Sequence, residues 1–216
     1  MFFLTKYKTL RKYKKYREIG KELNHKIIDR FIDRDIMLKS GKYLGLVKRD
    51  VLIFNSELES AALMDFAINE FETNSKNAVQ LYKEKVMLEN DIEGDLLDAL
   101  LKSYTTFCKI TDIKRKRNTL ILTDLLNINC EPIEIIDIGF SQTAAAGFLM
   151  FLRVVPFDDF KMTGGIGFIF YGDLEEYLIK EYRHMAKLVK SSNDSIKRYV
   201  AFNKLYRRYG IEILFM

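Results

Sequence analysis

The chain has no tryptophan and only two cysteines, two prolines and two histidines in 216 residues. Two thiols, Cys108 and Cys130, cannot supply the disulfide framework of a small secreted domain, and no Cys-x-x-Cys pair offers a zinc or redox motif. Both sit in apolar, strand-like contexts, so the simplest reading is a reduced pair in a cytoplasmic protein. His25 and His184 fall on separate amphipathic stretches and read as helix-surface or boundary residues rather than as ligands. Long apolar runs are also missing. The longest, Ala144 to Leu152, is far short of the ~20 residues that span a bilayer. Met1-Phe2-Phe3-Leu4 is too short for a signal core. No membrane partner is expected.

Motifs that carry chemistry are equally scarce. Gly139-Phe140-Ser141-Gln142-Thr143 lacks the second glycine of a nucleophile elbow, which leaves Ser141 a turn residue. Gly164-Gly165-Ile166-Gly167 has neither dinucleotide spacing nor a P-loop lysine, so its glycines are expected to permit a bend or close packing in a curved strand. Glu89 to Asp95 is rich in oxygen donors but does not follow the calcium-loop pattern. The sequence therefore predicts no catalytic residue, no metal and no cofactor, and an enzyme ranks third among the function classes.

What is present is a hydrophobic fraction of 48%, enough to bury a core, and a clear division of patterning. Residues 104–171 read as short strands between two helical regions. Thr106 to Thr111 alternates, Leu120 to Thr123 and Ile133 to Ile138 follow, and Phe148 to Val155 is the most apolar run and the expected central strand. Leu149, Phe151 and Val154 are the interior candidates, although strict alternation sets Val154 on the opposite face from the other two. Pro132 precedes a strand and Pro156 follows one, where neither breaks a ladder. The fold class expected is α+β. It comprises a helical region with a basic N-terminal arm over 1–103, a small antiparallel five-stranded barrel-like module, SH3-like or similar, over 104–171, and C-terminal helices over 172–216.

Helical spacing in the first region predicts a helix over roughly 17–38 stopped by Ser40-Gly41, then one opened by a Ser56/Glu59 capping box and running through Phe71. Further helices are marked by Val79, Tyr82 and Val86, and by Leu96, Leu97, Leu100 and Leu101. Asp173 with Glu176 repeats the capping logic, a last helix ends at Gly210, and Ile211 to Phe215 is expected to add a terminal strand.

The net charge of +5 hides a partition. Residues 1–50 carry 15 basic and 6 acidic side chains, whereas residues 51–100 carry 3 and 11. The two halves either face each other or leave the basic parts for a polyanion. Basic residues interleaved with tyrosines form three clusters: Arg11, Lys12, Lys14 and Lys15; the turn Lys114, Arg115, Lys116 and Arg117; and Lys197-Arg198-Tyr199 with Lys204 and Arg207-Arg208-Tyr209. These are the candidate anion or nucleic-acid contacts. Tyr199, Phe202, Tyr206 and Tyr209 share one helical face and read first as core.

Asp124-Leu125-Leu126, the turn at Ser141, Gly147, Leu152-Arg153-Val154-Val155-Pro156 and Thr163-Gly164 are similar to a β-module of uncharacterised bacterial proteins that set it after a helical half. The resemblance covers about the last two-thirds of the chain. It implies a fold and a bacterial cytoplasmic setting, and carries over no activity or site residue. A non-enzymatic adaptor that docks another protein is the leading expectation. A factor that binds nucleic acid, RNA or the ribosome is the runner-up.

Overall fold

The computed structural model describes residues 2–127 and 129–211, with side chains from Lys8 onward. Among the described residues the protein is α+β, with eight α-helices and seven strands, and it divides into two compact units. The helical unit is residues 1–103 with 156–159, and the sheet unit is residues 104–155 with 160–216.

In the helical unit, α1 (Phe2–Phe31) is one continuous 30-residue helix. The basic segment expected to be a flexible arm is thus already helical, and the break comes at Ile32-Asp33 rather than at Ser40. Asp33 causes that break: its carboxylate accepts the Ile36 amide at 2.8 Å and caps α2 (Arg34–Leu44). Ser40 and Gly41 are buried inside α2, where a Cβ on Gly41 would meet Leu52 Cδ2 at 2.5 Å. The helix ends instead at Gly45, whose φ of 72° is the left-handed conformation glycine tolerates best. A short hairpin follows, β1 (Val47–Lys48) and β2 (Val51–Leu52), turned through Arg49 and Asp50 at positive φ.

Three capped helices complete this unit. Ser56 accepts the Glu59 amide at 3.3 Å to open α3 (Glu57–Asn69), while the Glu59 carboxylate reaches back to the Asn55 amide at 2.7 Å. A reciprocal Asn77/Gln80 box opens α4 (Ala78–Lys85), and Asn90 caps α5 (Asp91–Leu101). Their apolar faces bury Leu63, Phe66, Val79, Tyr82, Leu96 and Leu97 with Leu23 and Ile27 of α1.

In the sheet unit, β3 (Tyr104–Lys114), β4 (Thr119–Asp124), β5 (Ile133–Ile136), β6 (Leu149–Pro156) and β7 (Lys161–Phe170) form one closed five-stranded sheet in the order β3-β4-β5-β7-β6. The order corrects the expectation of an antiparallel meander. β3 pairs with β6 as well as β4, and β5 meets β7 in parallel at Ile136 and Met162. Such a parallel return needs a crossover connection, and α6 (Ile138–Thr143) lies in it. Ser141, expected in a turn, is buried on α6 with its hydroxyl donating to the Ile138 carbonyl.

Period-two alternation decides which residues face inward. Cys108, Ile110, Leu120, Leu122, Ile135, Met150, Leu152 and Val154 form the interior cluster. Phe107 and Phe151 point the other way, onto α8 (Asp194–Tyr209). Of the three interior candidates only Val154 is inside the sheet, and Phe151 is buried because a helix covers its face. Phe202 of α8 lies 4.5 Å from the Phe151 centroid, 4.7 Å from Phe107 and 4.8 Å from Tyr182 of α7 (Glu175–Leu188). The expected core face of α8 holds for Tyr199, which is buried, and Tyr206, which is half-buried and stacks on Phe168 at 4.8 Å, whereas Tyr209 is half-buried and its hydroxyl meets that of Tyr177 at an exposed position.

Two smaller expectations change. Helix α7 has Leu174 at its N-cap with no side-chain cap, so Asp173 and Glu176 form no capping box. Ile211 makes one bridge to Ile169, and the rest of the expected terminal strand lies outside the described residues. Gly164 and Gly167 are close-packing positions: a Cβ there would meet Val155 Cγ2 and Met150 Cε, each at 2.6 Å.

Candidate functional site

The basic clusters meet different fates. On α1, Arg11, Lys14 and Lys15 are exposed, and Lys12 pairs with Asp159 at 2.8 Å. Further along the same helix the charge is spent inside the unit. Lys26 bridges Glu89 at 2.6 Å and Glu93 at 3.4 Å, and the Tyr16 hydroxyl donates to Asp95 at 2.5 Å. Burial, then the bond to Asp95, raises the Tyr16 hydroxyl above its ordinary pKa. The first helix therefore packs against the acidic α5 through Lys26 and Tyr16.

Glu93 is the centre of that arrangement. It is fully buried and accepts from the Tyr82 hydroxyl at 3.0 Å and the Glu89 amide at 2.8 Å. Burial alone pushes its carboxyl upward. The Glu89 amide, the Tyr82 hydroxyl and the Lys26 ammonium outweigh it and hold the group below its ordinary value.

The turn Lys114 to Arg117 is built differently. It is a 3-10 turn closed by Asn118 at φ 51°, a left-handed position that asparagine tolerates. Gln142 of α6 clamps it, donating to the Arg115 carbonyl and the Asn118 side chain, each at 3.3 Å. Arg115 Nη2 donates to the Ala144 carbonyl at 3.2 Å. Arg115, Lys116 and Arg117 stay exposed, and Lys114 pairs with Glu134 at a long 3.7 Å. The backbone is fixed while its cations face solvent. Arg207 and Arg208 are exposed on the last turn of α8, a separate element.

A site not singled out by sequence lies at the opposite end of β3. There a cavity of about 360 Å³ is lined by Tyr104, Asp124, Asn127, Tyr182, Arg183 and Arg198, with Leu125 and Leu126. Arg198 is held by an Nη1 bond to the Thr105 carbonyl. Asp124 is 7% exposed and uses Oδ1 to cap the Leu126 and Asn127 amides at 2.8 and 3.0 Å. These residues come from four separate stretches of the chain, so no local motif announces them. Two parts of it had a signal of another kind: Arg198 as a member of the basic run Lys197-Arg198-Tyr199, and Asp124-Leu125-Leu126 as part of the β-module resemblance.

His25 and His184 are both exposed. Cys108 is buried, which raises its thiol pKa, whereas Cys130 is exposed in a loop rather than on the apolar strand expected. Among the described residues no cluster of His, Cys, Asp or Glu could hold a metal ion, and no helix is long and apolar enough to cross a membrane.

A closed five-stranded sheet flanked by helices, with a fixed basic turn, is the class of architecture these features define. The chain belongs to a family of unknown function, DUF7986, whose family model matches residues 7–216. No curated protein and no solved structure matches it.

Proposed function

We propose that this protein is a non-enzymatic binding protein whose sheet unit holds single-stranded nucleic acid. The observation that carries the reading is where the strand order puts the basic turn. A five-stranded sheet closed in the order β3-β4-β5-β7-β6, with a helix between its third and fourth strands, resembles the oligonucleotide- and oligosaccharide-binding architecture more than an SH3-like one. In that architecture the loop joining the first two strands flanks the ligand. Here that loop is Lys114 to Arg117 with Asn118, the segment whose cations face solvent.

Fold alone does not assign a function, so the surface chemistry decides the mode. Next to the turn, the outer faces of β4 and β5 present Ile121, Thr123 and Glu134, with no aromatic ring among them. Stacking on bases is therefore a minor contribution, and binding to phosphate dominates. Binding should be sequence-tolerant and steeply salt-dependent. A bacterial cytoplasmic setting is part of the same proposal.

The test is fluorescence anisotropy of an unpaired oligonucleotide over a salt series, with the full chain and with Lys114, Arg115, Lys116 and Arg117 all replaced by serine. The expected result is tight binding at low salt and, in the variant, a logarithmic salt slope shallower by about 0.7 for each phosphate it no longer neutralises. No binding at low salt, or an unchanged slope in the variant, overturns it.

A second reading, docking of a protein partner, is favoured by one feature of the helical unit. Val51 at 59%, Ile53 at 46% and Phe54 at 40% exposure lie together at the end of the small hairpin, a local concentration of exposed apolar side chains.

A further inference from the structure

The cavity at the Tyr104 end of β3 is distinct from the basic turn. β3 has 11 residues, which separates its two ends by roughly 30 Å at the rise of a strand, so one phosphate group cannot serve both. The cavity volume of about 360 Å³ lies within the range of small-molecule sites.

Its polar groups are arranged for a particular kind of ligand. Arg198 is anchored by one nitrogen to the Thr105 carbonyl, which fixes the plane of the guanidinium and leaves its other donors without a partner among the described residues. Arg183 is exposed at the mouth and has no partner among the described residues. Two guanidinium forks on one cavity suit an oxyanion, which each can bind through paired N–H donors. The third charge has the opposite sign and a different use. Asp124 is more than nine-tenths buried, its Oδ1 is occupied by two backbone amides, and its Oδ2 has no partner among the described residues. A carboxylate oxygen on the cavity lining with no protein donor is an acceptor that a nitrogen donor on a ligand would satisfy.

The aromatic walls add to this. Tyr104 is 38% exposed, and burial, with the Asp124 charge second, raises its pKa, so it stays a neutral hydroxyl able to donate. Tyr182 is half-buried and held by its stack on Phe202.

We propose that this cavity binds a small ligand that joins an oxyanion to a nitrogen hydrogen-bond donor, with the size and chemistry of a nucleoside monophosphate. The phosphate sits between Arg183 and Arg198, and the base presents an N–H to Asp124.

Calorimetric titration of the full chain tests this with AMP, CMP, GMP and UMP, against ribose 5-phosphate and inorganic phosphate as probes without a base. At least one nucleotide should bind with one-to-one stoichiometry, and at least ten-fold more tightly than ribose 5-phosphate. Arg183→Gln alters an exposed side chain with no partner among the described residues, so it should fold normally and weaken that nucleotide by about ten-fold or more, the factor carried by one charge-assisted hydrogen bond. Asp124→Asn keeps the acceptor for the two amides and removes the free carboxylate, and should narrow the gap between nucleotide and ribose 5-phosphate. The four-serine turn variant should bind the nucleotide unchanged, which separates this site from the proposed nucleic-acid surface. Absence of binding by every nucleotide at millimolar concentration overturns the proposal. So does binding that Arg183→Gln leaves intact, or equal affinity for ribose 5-phosphate and all four nucleotides.

Discussion

The acidic helices of the helical unit and the basic turn of the sheet unit treat their charged side chains in opposite ways. In the helical unit cations of one helix meet anions at another: Lys26 of α1 lies between Glu89 and Glu93, and Lys83 of α4 pairs with Asp98 of α5. In the sheet unit the basic turn, Lys114 to Arg117, is held by its backbone and by Gln142 while its charges face outward. The charge at Lys26 and the buried Glu93 is structural and should be missed when removed. Charge in the turn contributes little to folding, which is why it is the more informative place to look for a partner.

The largest effect that tests this contrast comes from the sheet unit's real source of stability, its aromatic layer. Phe202 is fully buried and touches rings from β3, β6 and α7. Phe202→Ala should cost about 3–5 kcal/mol, read as a shift of the urea midpoint. A loss under about 1 kcal/mol would mean that the layer closes up without it and that the sheet holds itself together by other means.

Glu93 gives the next effect and a pH signature. Its folded pKa is lowered, so its contribution to stability is complete above the ordinary glutamate range and declines as pH falls through that range toward the folded value. Glu93→Gln keeps the shape but weakens acceptance from the Glu89 amide, Tyr82 and Lys26, and should cost roughly 1–3 kcal/mol at neutral pH. The variant should lose less stability than the natural protein as pH falls through and below the ordinary glutamate range. Parallel acid profiles for the two proteins would remove Glu93 from the account.

How much of this could be read in advance differs by unit. Tyr199 and Phe202 were legible as core because their spacing alone sets them on one face of a helix. Ser56 and Glu59 were legible because capping is local. The interior of the sheet was not. Leu149 and Phe151 have the apolarity of interior residues, but β6 is buried on both faces, by the sheet interior on one side and by α8 on the other, so hydrophobicity could not say which side is which. Strand order was hidden for a related reason. The parallel meeting of β5 with β7 joins segments far apart in the chain, and no turn signal marks it. The cavity residues Tyr104, Asp124, Arg183 and Arg198 were beyond reach because only the folded sheet and its helices bring them together.

Thiol chemistry offers a sharper contrast within the sheet unit. Cys130 is exposed, whereas Cys108 is wholly buried in the interior cluster, and burial raises its pKa. A thiolate reagent should modify one equivalent promptly and the second only at the rate of unfolding. Two prompt equivalents would show that the sheet opens readily at β3. That result would also weaken any argument that relies on a fixed turn at the far end of the same strand.

The smallest expected change in stability bears most directly on the comparison. Replacing Lys114, Arg115, Lys116 and Arg117 by serine removes exposed contacts of these side chains, among them the Arg115 bond to the Ala144 carbonyl and the long pair of Lys114 with Glu134. It also removes repulsion among four adjacent cations. The Gln142 bonds to the Arg115 carbonyl and the Asn118 side chain involve no side chain that is replaced, so the turn keeps its clamp. Loss and relief are of similar size, and the stability should stay within about 0.5 kcal/mol of the natural protein, as for most surface substitutions. Lys26→Met in the helical unit removes one cation instead of four, yet leaves Glu93 buried with less compensation and should cost more than the four turn substitutions combined. Urea melts of the two variants decide the matter. If the turn variant is the less stable, its cations are part of the fold, and solvent-facing charge at that position no longer points to an anionic partner.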